Sequence, residues 1–174
     1  MELRRLGADD AAVRRFVRRL WLPYHRELEA IVDDHALAEG DLVAEEVPFR
    51  RERLGTDGHR TWLAVDDAGA DGPETGGAEN DVLAGFVATD VEECPSVFDR
   101  PDRLVVGDIY VREPYRGTGL ADDLLERAAE RARAVGCGEL ALEVDVDNER
   151  VIAFYEKRGF ETVRRRMSVA VEDA

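Results

Sequence analysis

Val13, Phe16, Val17 and Leu20 recur at three- and four-residue intervals, with Arg14, Arg15, Arg18 and Arg19 between them. That spacing predicts an amphipathic helix, opened by the capping side chains of Asp9-Asp10. The four arginines read as a solvated face paired with the protein's own acids rather than as a phosphate patch. Leu3–Leu6 predicts a short strand before it. Pro23 should break the helix. A second helix is expected from about Tyr24 to Leu37, with Gly40 as its stop, and a third over 41–54, interrupted near Pro48. Thr61–Val65 and Val82–Ala88 read as strands of a hairpin. Between them, 66–81 has no large apolar residue and includes Gly69, Gly72, Pro73, Gly76 and Gly77, so a flexible loop is expected there.

Leu104–Val111 reads as another strand. Leu120, Leu124, Leu125, Ala128, Ala132 and Val135 then mark a helix ending at Gly136. Leu140–Val144 predicts a strand. Asn148 opens a short helix containing Ala153, Phe154 and Tyr155 and closed by Gly159. Thr162–Val171 predicts a last pair of strand segments. The element order gives an α/β (α+β) fold: a mixed, mostly antiparallel, twisted sheet flanked by helices, with one late βαβ unit. A single domain over 1–174 is expected, without internal repeats.

The 174 residues suffice to bury roughly 70% of the unfolded chain's surface. The 39 acidic and 24 basic residues leave a net charge of −15. Such a surface argues against nucleic acid and anionic membranes, both of which need a dominant basic face. No apolar run approaches the ~20 residues of a membrane span. Met1-Glu2-Leu3-Arg4-Arg5 has no apolar signal core, so a cytoplasmic location is expected. Lys157 is the only lysine. Abundant acid with almost no lysine points to a salt-loving cell, because at ~1 M salt the Debye length is about 3 Å and acid–acid repulsion is screened. A GC-rich genome would also favour arginine over lysine. Cys94 and Cys137 stand alone, and His25, His35 and His59 are scattered, so neither a disulfide framework nor a metal site is expected.

The segment that carries chemistry is Arg116-Gly117-Thr118-Gly119-Leu120-Ala121, set between a strand and a helix. Glycines let backbone N–H groups approach a phosphate, and a helix N-terminus adds partial positive charge. The lysine-bearing phosphate loop G-x-x-x-x-G-K-[ST] is absent, and the dinucleotide signature G-x-G-x-x-G is incomplete. Taken alone, R-G-x-G also describes a plain tight turn.

In its context the segment fits the [QR]-x-x-G-x-[GA] signature of the GCN5-related N-acetyltransferases. Arg112-Glu113-Pro114-Tyr115 resembles that family's approach to the loop. Leu142-Glu143-Val144, then Asn148, then Ala153-Phe154-Tyr155-Glu156-Lys157-Arg158-Gly159-Phe160 resembles its downstream segment. The resemblance is clear over Leu104–Phe160 and rests on element order elsewhere. It implies acetyl-CoA as acetyl donor, held in a notch between the strands Leu104–Val111 and Leu140–Val144. The pantetheine arm would pair with backbone at Ile109, Tyr110 and Val111, like an added strand. The pyrophosphate would rest on amides of Arg116, Gly117, Thr118, Gly119, Leu120 and Ala121, with Asp122 and Asp123 turned away. Asn148 matches the position that bonds the cofactor arm; the same residue also suits a helix N-cap.

The reaction implied is direct attack of a primary amine on the thioester. Tyr155 matches the general acid for the leaving thiolate; it also suits plain packing beside Phe154 and Phe160. Glu143 is the candidate base, 12 positions before Tyr155 as in members that acetylate protein N-termini. Strand alternation would set it on the face opposite Leu142 and Val144. An exposed strand acid is the equal alternative, and Asp108 is the reserve base. The acceptor, a small molecule or a protein N-terminus or lysine, is to be selected by residues 8–55. A monomer and a homodimer both remain open. A non-catalytic acyl-CoA-binding module on the same fold is the alternative; it would keep the loop and need neither Tyr155 nor a base.

Overall fold

The computed structural model describes residues 1–66 and 81–171. The loop expected at 66–81 lies, save its two end residues, outside the described residues. The chain divides into two compact units, Met1–Glu143 and Val144–Ala174.

The first unit is built on a five-stranded sheet in the order β1 (Glu2–Arg5), β2 (His59–Asp66), β3 (Val82–Glu92), β4 (Arg103–Val111) and β5 (Glu139–Leu142). All neighbours are antiparallel except β4 and β5. That pair is joined through helix α4 (Leu120–Val135), the expected βαβ unit. Alternation along the strands divides the core into two layers. Leu63, Val65, Leu83, Phe86 and Ala88 pack against Val13, Phe16, Val17, Leu20 and Val47 from the first helices. The rings of Phe16 and Phe86 meet edge-on at 4.9 Å. Trp62, set between Thr61 and Leu63, lies under Arg127 and Arg131 of α4.

Two prolines behave differently from the sequence expectation. Helix α1 (Asp10–Phe16), capped by Asp9 on the Ala12 N–H at 2.9 Å, passes through a π-helical turn (Val17–Trp21) into α2 (Leu22–Glu29). Pro23 follows directly on that π-helical turn, in which the Leu22 N–H reaches back five residues to the Val17 carbonyl, and the helix continues through it without a break. Helix α3 (Leu42–Leu54) likewise runs uninterrupted through Pro48, fixed at its start by Asp41 accepting from the Ala44 N–H at 3.0 Å. Helix α2 ends at Glu29, well short of Leu37, and a short 3₁₀ turn (Asp33–His35) follows.

Arg131 of α4 is buried, and among the described residues no carboxylate bonds to it. Its guanidinium donates to the Thr89 carbonyl at 2.9 Å, the Thr89 Oγ1 at 2.6 Å and the Gly58 carbonyl at 2.7 Å. It therefore fastens α4 to β3 and to the turn before β2. Arg131→Met keeps the stem and strands these acceptors, so a loss of about 2–4 kcal/mol is expected in urea unfolding.

The second unit holds helix α5 (Glu149–Glu156). The strand pair expected over 162–171 is not formed. Val163, Met167 and Val171 are more than four-fifths exposed, and no ladder partner pairs with their backbone among the described residues. A β-favouring pattern does not make a strand without a neighbour.

Candidate active site

Strand β4 changes phase in its middle. Its register with β3 pairs Val106 with Thr89 and Asp108 with Ala88, so Gly107 is an extra residue, a bulge. Before it, Leu104 and Val106 are buried with α4 packed on β4. After it, Asp108 and Tyr110 lie opposite Ala88 and Phe86, on the side of the first helices. Pairing with β5 covers Arg103–Val106 and stops at the same point. Beyond it Asp108, Ile109, Tyr110 and Val111 have β3 on one side and no strand partner on the other among the described residues. An extended chain could pair there.

The loop after β4 leads into α4 through two left-handed glycines, Gly117 (φ +77°) and Gly119 (φ +92°). A Cβ at either would meet nothing within 4 Å, so both face open space. The α4 ladder begins with the Asp122 and Asp123 N–H groups donating to the Gly119 carbonyl, at 2.9 and 3.2 Å. The N–H groups just before them have no acceptor in the helix, the usual anion-accepting state of a helix start. Thr118 donates through Oγ1 to the Tyr115 carbonyl at 2.7 Å, and Leu120 is buried beneath the loop. Ala121 is half-buried, and Asp122 and Asp123 are exposed.

Arg116 stands apart from this cradle. Its backbone N–H donates to the Glu113 carbonyl at 3.1 Å. Its guanidinium donates to the Val111 carbonyl at 3.0 Å and pairs with Glu27 of α2. It also lies 5.8 Å from the centre of the Tyr110 ring. Tyr110 donates through its hydroxyl to Glu27 at 2.7 Å. Burial, and then the Glu27 carboxylate, push its phenol up to about 12. Arg116 thus brackets the end of β4, and Glu27, which no sequence spacing singles out, is the acid that neutralises it.

A cavity of about 340 Å³ opens beside the bulge. Trp21 and His25 line it from the first helices, Glu46, Phe49, Arg50 and Arg53 from α3, and His59, Ala88, Asp90, Gly107 and Asp108 from the sheet. The π-helical turn and α2 place Trp21 and His25 four residues apart, with ring centres at 4.4 Å. Arg50 is buried; it pairs with Glu46 and reaches Asp108 at 3.4 Å. Arg53 meets Asp90 at 2.6 Å, and His59 lies 3.0 Å from Asp90 and 3.2 Å from Thr61. Burial alone would raise the Asp90 carboxyl, but its bonds to His59 and Arg53 outweigh this and hold it below the usual range. Burial lowers His25, reinforced by Arg50 and His35 and opposed by Asp108.

Glu143 lies one residue past the end of β5 and is exposed. The alternation expected to aim it therefore does not apply. In the second unit, Asn148 occupies the N-cap position of α5 without making a side-chain capping bond. Its amide is thus not spent on the helix. Tyr155 is buried between the rings of Phe154 and Phe160, each centred 5.3 Å away. Burial pushes its phenol up to about 12, with Arg158 opposing. Among the described residues, no three His, Cys, Asp or Glu side chains are grouped to hold a metal, and no helix is long and apolar enough to cross a membrane.

The profile of a family described as acetyltransferase (GNAT) matches residues 17–160. A segment of 63 residues is 39% identical to the N-alpha-acetyltransferase MAK3 of Arabidopsis thaliana, covering 36% of this chain and 33% of that protein. A segment of 101 residues is 38% identical to the streptothricin acetyltransferase of Streptomyces lavendulae, covering 58% and 44%. The chain therefore matches less than half the length of these relatives. A tetramutant of the BH1408 protein from Bacillus halodurans superposes with a TM-score of 0.77 at 17% identity, over 98% of this chain and 100% of that one. The aminoglycoside N-acetyltransferase AAC(6')-Iy in complex with CoA gives 0.66 at 15%, over 97% and 93%. At these identities the likeness is one of fold.

Proposed function

The chain belongs to the acetyltransferase (GNAT) family, and on that premise we propose that it is an acetyl-CoA-dependent N-acetyltransferase acting on a primary amine. What carries the reading is β4 itself. Its stretch Asp108–Val111, paired with β3 alone among the described residues, leads to the Gly117–Gly119 cradle, while Asp108 lines a cavity large enough for a small acceptor. A module that only bound acyl-CoA would need no such cavity.

The residues fit the donor. Backbone at Ile109, Tyr110 and Val111 would hold the pantetheine arm, and the N–H groups from Gly117 to Ala121 the pyrophosphate. The Arg116 N–H is already bonded to Glu113, so Arg116 serves by bracing Val111. Asn148 would bond the arm. Acetyl-CoA supplies a thioester that a neutral amine can attack. Asp108 would take the amine proton, a role for which exposed Glu143 is less well set, and Tyr155 would hydrogen-bond the departing sulfur. The charge of −15 with a single lysine suits work at high ionic strength, in a cytoplasm rich in salt.

The test is thiol release from acetyl-CoA in molar KCl against a panel of amines, with the product weighed by mass spectrometry. Asp108→Asn should lower kcat by about 10²–10³ with acetyl-CoA affinity unchanged. It should also move the pH–rate profile upward, toward the pKa of the amine itself, about 10 for an alkyl amine and about 8 for an α-amino group, because only the fraction already neutral could then react. Thiol release that never depends on an amine would remove the proposal.

A further inference from the structure

Resting on that reading, we infer that Glu27 is a positioning residue for the acetyl donor: through Arg116 it closes the open edge of β4 at Val111 and so fixes where the donor's extended arm leaves the sheet. The backbone carries the first part of the argument. Tyr110 lies opposite Phe86 and Val111 opposite Gly85, and the Arg112 N–H donates to the Ala84 carbonyl at 2.9 Å. In an antiparallel ladder, the groups that face the partner strand come from alternate residues. Tyr110 and Arg112 therefore turn their backbone groups to β3, and Ile109 and Val111 turn theirs to the open edge. Of those outward groups the Val111 carbonyl is already covered, by Nε of Arg116 at 3.0 Å. An arm laid along this edge meets the Ile109 groups and the Val111 N–H, and then a guanidinium.

The side chains carry the second part. An arginine held by one bond could swing away on its long stem, because its rotamer freedom is large. Arg116 is held by three groups at once: the Val111 carbonyl, the Oε2 of Glu27 and the face of the Tyr110 ring, centred 5.8 Å away. Glu27 is fixed in turn, because the Tyr110 hydroxyl donates to its Oε1 at 2.7 Å. The contacts close a ring on the end of β4, and Glu27 is its one member from a helix, α2. The Glu27 carboxylate is about half exposed, and an ion pair at that exposure contributes little stability. Its effect is one of direction. A misplacement of about 1 Å can cost on the order of 100-fold in rate, so the point at which the arm turns toward the Gly117–Gly119 loop decides whether the thioester meets Asp108.

The experiment compares Glu27→Ala, Glu27→Gln and Glu27→Asp with the parent. It reads kcat, acetyl-CoA affinity by calorimetry, and amide hydrogen exchange at Ile109 and Val111 by NMR with acetyl-CoA bound. Glu27→Ala should lower kcat about 20- to 100-fold while acetyl-CoA affinity moves less than three-fold. Its melting temperature should stay within about 3 °C of the parent. Exchange at Val111 in the bound state should quicken at least ten-fold. Glu27→Gln keeps an acceptor for Tyr110 and loses the charge that holds Arg116, so it should also lose turnover. Glu27→Asp keeps the charge and should recover at least five-fold of the lost rate. Arg116→Gln removes the cap from its other end, and combined with Glu27→Ala the two losses should not add.

Wild-type kcat in Glu27→Ala, additive losses in the double variant, or no recovery in Glu27→Asp would overturn the inference while leaving the acetyltransferase reading intact. Should the parent acetylate no amine, that reading falls, and the exchange measurement decides on Glu27 alone. Quickened exchange at Val111 with acetyl-CoA still bound supports the positioning role, and unchanged exchange overturns it. A parent that binds no acetyl-CoA would remove both.

Discussion

Replacing Tyr155 by phenylalanine is expected to lower kcat about 100-fold and to leave acetyl-CoA affinity within two-fold. The ring would keep its place between Phe154 and Phe160. Only the hydroxyl is lost. With its phenol near 12, Tyr155 stays protonated across the neutral range. A thiol titrates near 8.5, so full transfer from this phenol would be uphill by roughly 3.5 pH units, and in the proposed role the hydroxyl would serve chiefly as a donor to the developing negative charge. That sets the effect at the lower end of the 10²–10⁴ associated with a lost acid. It also predicts that kcat does not fall between pH 7 and 10 on account of Tyr155. Single-turnover rates and calorimetry check both; undiminished turnover in the variant would remove the role.

Gly119→Val is expected to weaken acetyl-CoA binding at least 100-fold. Two effects add. At φ +92° a β-branched residue is strained by about 1–2 kcal/mol, which should lower the melting temperature by a few degrees. Its side chain would also occupy the open space before the N–H groups proposed to receive the phosphates. Gly119→Asn separates the effects, because asparagine tolerates the left-handed region yet still fills the space. It should keep the melting temperature near that of the parent and still lose affinity. Wild-type affinity in the asparagine variant would show that the cradle is not the phosphate site.

Where one element's own residues decide its structure, the sequence was legible. Helix α4 runs from Leu120 to Val135 as read, because its apolar stripe and the left-handed Gly136 are local signals. The strand–loop–helix motif was legible for the same reason. Pro23 and Pro48 misled because proline's penalty depends on which acceptor would be lost, and a π-helical turn cannot be read from spacing. Glu143 was placed by alternation along a strand that stops at Leu142. The cavity was missed altogether. Its walls come from two helical segments and three strands, and Trp21, Arg50 and Asp90 share no interval that marks them as neighbours. One sign was present: a glycine inside an apolar strand, Gly107, is the usual mark of a bulge.

That bulge gives β4 a parity. Side chains alternate with a period of two, so any insertion or deletion of odd length beyond Leu104 exchanges the two faces of everything downstream. Asp108 and Tyr110 would turn toward α4, and the buried positions beneath α4 would receive a carboxylate. Changes of even length preserve the faces but slide the open edge relative to the glycine cradle. The helices that wall the cavity carry no such constraint. On the proposed reading of the cavity, acceptor preference would drift through α2 and α3, one side chain at a time, while β4 stays fixed in length.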